Sequence, residues 1–129
     1  MIRVINPPDL QRQSFYNHAV VKPGTPVFLT GQVAWDKDGA IVGVDDIAAQ
    51  IAQVWRNIDA VLRDLGAGRE DIVKLLTFAT SRDLLPAIHA GRDAYFGQAR
   101  RPASTFIVVA GLAHPDLLVE IDVTLMLER

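Results

Sequence analysis

The hydrophobic pattern changes period several times along the chain, and each change marks an element. Residues 26–33 form a short β-branched and aromatic run after the breaker pair Pro23-Gly24, which predicts a strand. Val20-Val21, just before that break, reads as its hairpin partner, and residues 2–5 as a further short strand. Asp36-Lys37-Asp38-Gly39 has the composition of a turn. From Asp45 or Asp46, either able to cap a helix, apolar residues recur with helical spacing at Ile47, Ile51, Val54, Trp55, Ile58, Val61, Leu62 and Leu65, and Gly66 follows as a stop. Residues 71–80 alternate as a strand, with Ile72, Leu76 and Phe78 on one face and Val73, Leu75 and Ala79 on the other. A second helix is expected over residues 83–96, with Pro86 in its first turn, Gly91 inside it and Gly97 at its end.

Two more strands fit residues 104–112 and 117–127, joined by a turn around His114-Pro115-Asp116. The odd positions of the last one, Leu117, Val119, Ile121, Val123, Leu125 and Leu127, are all apolar and suit a face beneath helices. Its even face mixes Leu118, Glu120, Asp122, Thr124 and Met126. The whole reads as an α+β fold, a mixed β-sheet of about six strands with two helices packed on one face. The other face of the inner strands still carries apolar residues, read here as Val27, Leu29, Phe106 and Val108. Apolar surface on that scale usually meets a partner, and a closed homo-oligomer is the simplest one.

The chain has 129 residues, which suits one domain spanning residues 1–129. A formal charge of -2 gives no electrostatic reason to expect nucleic acid or an anionic membrane as partner. No run of residues is long and apolar enough to span a bilayer, and the first residues lack a secretory layout. Together with the absence of cysteine, these features make the cytoplasm the expected location.

Chemistry narrows next. No pair among His18, His89 and His114 has a helical i, i+4 spacing or the spacing of a zinc motif, so no metal is expected. The glycines form neither a dinucleotide fingerprint nor a phosphate loop, and no Gly-x-Ser-x-Gly elbow is present, so no cofactor and no covalent hydrolase centre is expected. Glu120 differs, being an acid inside a long and otherwise apolar strand. Burial would raise its pKa toward the range useful for proton transfer, which makes it a candidate general base. A solvated carboxylate at a hydrated interface is the other reading, and the pattern alone leaves both open. Tyr16 and Trp35 are either pocket aromatics or core residues, and His89 is either functional or a satisfied helix residue.

These pieces stand in an order that resembles the Rid family, also called YjgF and linked by name to L-PSP endoribonucleases. The matching stretches are Ser14-Phe15-Tyr16-Asn17-His18-Ala19-Val20-Val21, Phe28-Leu29-Thr30-Gly31-Gln32-Val33, and the helix from Asp46 with Gln50, Asn57 and Leu65-Gly66-Ala67. They continue through Asp71-Ile72-Val73-Lys74, Tyr95-Phe96, Arg101-Pro102-Ala103-Ser104-Thr105 and Leu118-Val119-Glu120-Ile121-Asp122-Val123. The resemblance implies a chorismate-mutase-like fold and a homotrimer whose small-molecule clefts lie between subunits. In the deaminating branch of that family, those clefts hydrolyse imines and enamines such as 2-aminoacrylate to keto acids and ammonia, without metal or cofactor. An arginine there clamps the substrate carboxylate, a backbone group near a strand glycine contacts it, and a glutamate positions water.

Carried over by position, Tyr16 matches the cleft tyrosine, Gly31 the strand glycine and Glu120 the glutamate. The arginine follows Pro-Ala in that branch, where this chain has Ser104. Phe106 replaces a small or thiol residue, and His89 stands where asparagine is frequent. A serine hydroxyl cannot replace a guanidinium's charge and paired hydrogen bonds. Arg100 and Arg101 lie close in sequence and could reach a cleft in its place, although a solvated surface position is the favoured reading. The resemblance therefore implies a small-molecule protein with Glu120 directing water and Ser104, Thr105, His89 and Phe106 shaping specificity. A non-catalytic metabolite-binding or regulatory trimer is the alternative, and a ribonuclease is disfavoured by the missing basic stripe.

Overall fold

The computed structural model describes residues 1–128, with Arg129 outside the described part. Six strands and two helices follow one another as β1 (Arg3–Ile5), β2 (Ala19–Val21), β3 (Thr25–Phe28), α1 (Ile47–Leu65), β4 (Ile72–Ala79), α2 (Leu85–Phe96), β5 (Ala103–Val108) and β6 (Val119–Leu127). Four strands make one mixed sheet in the order β3-β6-β4-β5, and β1 pairs with β2 in a separate ribbon. The expected α+β class holds, with the six strands divided between these two groups. Val20-Val21 is not the hairpin partner of β3: it pairs antiparallel with β1, Val4 opposite Val20. The two segments adjacent in sequence are parted by Lys22, whose buried ammonium reaches the Met126 carbonyl at 2.7 Å and Asp71 at 3.3 Å.

β6 runs antiparallel to both β3 and β4, while β4 and β5 are parallel and require a crossover, which α2 supplies. Asp46 caps α1, its side chain accepting from the Ala49 amide at 3.1 Å, and Gly66 ends the helix in the left-handed region at φ 69°. A short 3-10 turn over Arg82–Leu84, capped by Ser81, precedes α2, so Pro86 lies where no helical N–H is missed. Gly91 brings the helices together: a Cβ there would lie 2.7 Å from Ile51 Cγ2. Among the described residues, no helix is long and apolar enough to cross a membrane.

The core forms between the helices and one face of the sheet. Leu117, Val119, Ile121, Val123 and Leu125 are buried there with Ile51, Val54, Trp55, Ile58 and Leu62 of α1 and Ile88 and Phe96 of α2. In β4 the expected faces are rearranged. Ile72 pairs with Leu125 but Lys74 pairs with Thr124, so Val73 is an extra residue in a bulge. Ile72 therefore joins Leu75, Thr77 and Ala79 on the helix side, while Leu76 and Phe78 face away. The uncovered face is also not built from Val27, Leu29 and Phe106, which pack against the core. It carries Phe28, 75% exposed, with Ile107, Leu76 and Phe78.

Candidate functional site

Glu120 projects from the uncovered face of β6, opposite Phe78 and two residues from Asp122. Over it passes the segment after β3. That segment is held to β6 by the Leu29 amide donating to the Val123 carbonyl and by paired bonds of 2.9 and 3.0 Å between Gln32 and Ile121. From the other side, the Asn57 side chain of α1 donates to the Val33 and Trp35 carbonyls at 3.0 and 2.9 Å. Gly31 is thereby pressed against Glu120, with a virtual Cβ only 2.9 Å from the carboxyl carbon. Burial raises the Glu120 pKa, and the negative charge of Asp122 raises it further. A carboxylate in this position is a stronger base than a solvated one. Trp35 is 38% exposed and lines a hollow of about 470 Å³ beside Gly31.

A second group gathers where the N-terminal segment crosses the start of β5. The Asn17 amide donates to the Pro102 carbonyl at 3.1 Å and its Nδ2 to the Arg101 carbonyl at 2.7 Å, while Asn6 donates to Asn17 Oδ1. The pinned segment places the Phe15 ring over His89, centroids 4.2 Å apart, and sets Tyr16 edge-on between Phe15 and His18. Burial first, and then the nearby positive charge of Arg92, lower the His89 pKa, which keeps the imidazole neutral near neutral pH. Beside these rings lies a hollow of about 590 Å³ whose wall includes Tyr16, Arg12 and Arg101.

The residues read from the sequence thus fall into two groups. Gly31 and Glu120 are in contact, and Tyr16 and His89 share the Phe15 cluster. Ser104 and Phe106 pair with Leu75 and Thr77 and share the helix-covered face, so they do not face Glu120 within one chain. Thr105 alternates to the uncovered side, where its hydroxyl accepts from Lys74 Nζ at 2.9 Å. Arg100 and Arg101 are not freely solvated. Arg100 donates to the Glu70 carbonyl, and Arg101 pairs with Asp93 at 3.2 Å while its guanidinium lies over the Phe96 ring. A further hollow, of about 800 Å³, is lined by Ile51, Trp55, Gly91 and Tyr95 between α1 and α2. Its lining contains none of these candidate groups.

One residue escaped the sequence reading. Arg92 is 2% exposed, on the buried stripe of α2 between Ile88 and Phe96, and its Nε has no partner. The signal was present in the i, i+4 spacing of Ile88, Arg92 and Phe96, which puts a charge on the helix's inward face.

Residues 9–126 match the endoribonuclease L-PSP family. A RutC family protein of Synechocystis sp. is 37% identical over 108 residues, spanning 83% of this chain and 82% of that protein. Among solved structures, a Rid-family protein of unknown function from Yersinia pestis, YyfB, is 39% identical and superposes with a TM-score of 0.91, covering 98% of each chain. RidA from an Antarctic Psychrobacter is 26% identical, with a TM-score of 0.74 over 91% of this chain and 92% of its own. The chain belongs to the endoribonuclease L-PSP family, the Rid or YjgF family, whose fold it shares.

Proposed function

We propose that this chain forms a cytoplasmic homotrimer that binds small metabolites in clefts between copies and hydrolyses an imine or enamine there. The contact of Glu120 with Gly31 on an uncovered apolar face carries this reading. Glu120 combines a raised pKa with access from outside the chain, as a group that moves a proton from water requires. The exposed Phe28 and Ile107 supply a surface that a second copy would cover. Because Ser104 and Tyr16 lie apart from Glu120 in one chain, the cleft would take one group from each of two neighbouring copies.

In the proposed step, Glu120 takes a proton from water as the water oxygen bonds to the imine carbon, the C=N pair moves onto nitrogen, and Glu120 returns that proton to the nitrogen to give the carbinolamine. Glu120 then takes the hydroxyl proton and delivers it to the amine, so that ammonia leaves as the C–O bond becomes a carbonyl and the carboxylate is restored. Ser104 stands where the resemblance places an arginine, so a simple 2-imino acid would be held weakly. That same residue favours the second reading, a trimer that binds metabolites without turning them over.

Steady-state hydrolysis of 2-iminopropionate and of uncharged imines tests the proposal. Turnover that falls at least about a hundredfold in Glu120→Gln is expected, the range for losing a general base. Unchanged turnover in that variant removes the mechanism. Ser104→Arg separates the two readings, because gained imino-acid hydrolysis requires the remaining machinery to be competent, and no hydrolysis of any imine by either protein selects the binding role.

A further inference from the structure

Arg92 poses an electrostatic problem that the fold does not resolve. Its side chain is 2% exposed, its Nε has no hydrogen-bond partner, and no carboxylate lies within ion-pair distance among the described residues. A buried guanidinium left without a counter-charge is costly, and arginine cannot escape the cost by losing its proton. Burial acts against its charged form, the negative charge of Asp93 offsets part of that, and the positive charge of Arg101 adds a smaller unfavourable effect. Arg101 is itself incompletely matched: it pairs with the exposed Asp93, yet its Nη1 is buried without a partner.

Arg101 belongs to the wall of one hollow, and Arg92, which does not line it, lies within electrostatic reach of Arg101. Arg101 lines the space of about 590 Å³ together with Arg12, Tyr16 and Asn17, and no acidic residue lines it. Arg92 stands behind it, near enough for its charge to act on His89, whose ring is stacked on Phe15 between the lining residues Ser14 and Tyr16. Asn17 is already committed to the Arg101 carbonyl, and Phe15 is occupied by His89. The charged donors at this wall and behind it are the guanidinium groups of Arg12, Arg101 and Arg92, which match an oxyanion.

We propose that Arg92 and Arg101 form an anion seat at this hollow, taking the carboxylate or phosphate of a small organic ligand. The charge that Ser104 does not supply from β5 is thus delivered from α2. This inference rests on the small-molecule reading of the site and deepens it by assigning the ligand a negative group. The neutral His89 beside the seat is not a competing charge, and the exposed position of Arg12 lets it act as an outer guide for the anion.

Thermal unfolding of the full chain at constant ionic strength provides the test, with chloride replaced stepwise by inorganic phosphate or, separately, by 2-oxobutyrate. A saturable rise in Tm with either anion is expected, and the anion giving it at lower concentration identifies the preferred group. Arg92→Met should weaken that response at least about tenfold, as expected for losing one charge-assisted hydrogen bond. In chloride alone the same variant should melt no lower than the parent, because an unpaired buried charge has been removed. A structural arginine would give the opposite, a lower Tm in chloride with the anion response intact, and that outcome overturns the proposal. So does the absence of any saturable response in the parent protein. If Arg92→Met does not fold, Arg101→Gln carries the test: a weakened response supports the seat, and an undiminished one rejects it. In the parent protein, failed hydrolysis of every imine with intact anion binding removes the catalytic reading alone, while hydrolysis unaffected by Arg92→Met removes this one alone.

Discussion

The Glu120 carboxylate rests against the backbone of Gly31, where a Cβ would come 2.9 Å from the carboxyl carbon and closer still to Oε2. Gly31 does not need glycine for its backbone angle, since it is absent from the positive-φ residues. Its missing side chain is instead the space that Glu120 fills. Gly31→Ala should therefore cost less than about 1 kcal/mol of stability, because a flexible side chain can swing aside, yet it should disable whatever Glu120 does. Gly24 is the contrasting case, with φ at 138° and a virtual Cβ 2.6 Å from the Leu127 carbonyl carbon. Gly24→Ala should cost about 1–3 kcal/mol, since both the backbone angle and a strand carbonyl oppose it. Urea titrations of both variants, beside ligand binding or turnover, check the pair. Equal stability losses would contradict the distinction.

The raised pKa of Glu120 has a definite consequence for stability. A carboxylate that is harder to ionise in the folded state binds its proton more tightly there than in the unfolded chain. Stability then falls as pH rises from the ordinary value of 4.5 through the raised folded value, and the penalty is constant above that window. Glu120→Gln removes the titration. Relative to the parent, the variant should gain nothing below pH 4.5 and become progressively more stable through the window, keeping a small gain at neutral pH. Partial exposure of Glu120 keeps that gain modest. Melting curves across this range at fixed protein concentration test it, and a gain that shrinks with rising pH would show that a stabilising partner for the carboxylate had been missed.

The elements that rest on local signals were legible in the sequence. Asp46 and Gly66 bound α1 because a carboxylate accepts an orphan amide and a glycine tolerates the left-handed turn. The alternation in β6 predicted its buried face because no bulge interrupts its pairing with β4 from Leu75 to Ala79. In β4, one extra residue at Val73 moved Ile72 to the opposite face, and periodicity carries no warning of a bulge. The partner of Val20-Val21 was also hidden, because pairing with β1 depends on contacts that local turn signals do not encode. Glu120 stood out as an acid among apolar residues, whereas Arg92 was passed over as one more charge on a weakly periodic helix. Which of Ser104, Thr105 and Phe106 shares a face with Glu120 depended on strand register, and register became visible only when β4 was found between β5 and β6.

Phe28 lies on the uncovered face, opposite Thr124 of β6, with 75% of its surface exposed. Its side chain contributes little to the core of its own chain, so Phe28→Asp should leave the fold intact. If copies of the chain meet through this face, the variant buries a charge in an apolar contact and should shift the assembly toward monomer. Sedimentation equilibrium and circular dichroism together read the result. A folded variant with the parent's mass would move the interface away from this face.

Gln50 is fully buried and joins three pieces of backbone. Its Nε2 donates to the Gly43 carbonyl at 3.0 Å and the Asp116 carbonyl at 2.8 Å, and its Oε1 accepts from the Leu118 amide at 2.9 Å. The last of these fixes the entry to β6 two residues before Glu120. Gln50→Leu keeps the apolar bulk but takes the acceptor from the Leu118 amide and the side-chain donor from the Asp116 carbonyl, while the Gly43 carbonyl keeps its bond from the Asp46 amide, at a cost of about 1–3 kcal/mol. Gln50→Glu should be worse, because a carboxylate would turn an acceptor toward both carbonyl oxygens without water to screen it. Hydrogen exchange separates this local role from a general loss of packing. The Leu118 amide should lose protection in Gln50→Leu well before amides in the middle of α1, and uniform loss along both elements would mean that Gln50 serves the core as a whole rather than the strand that presents Glu120.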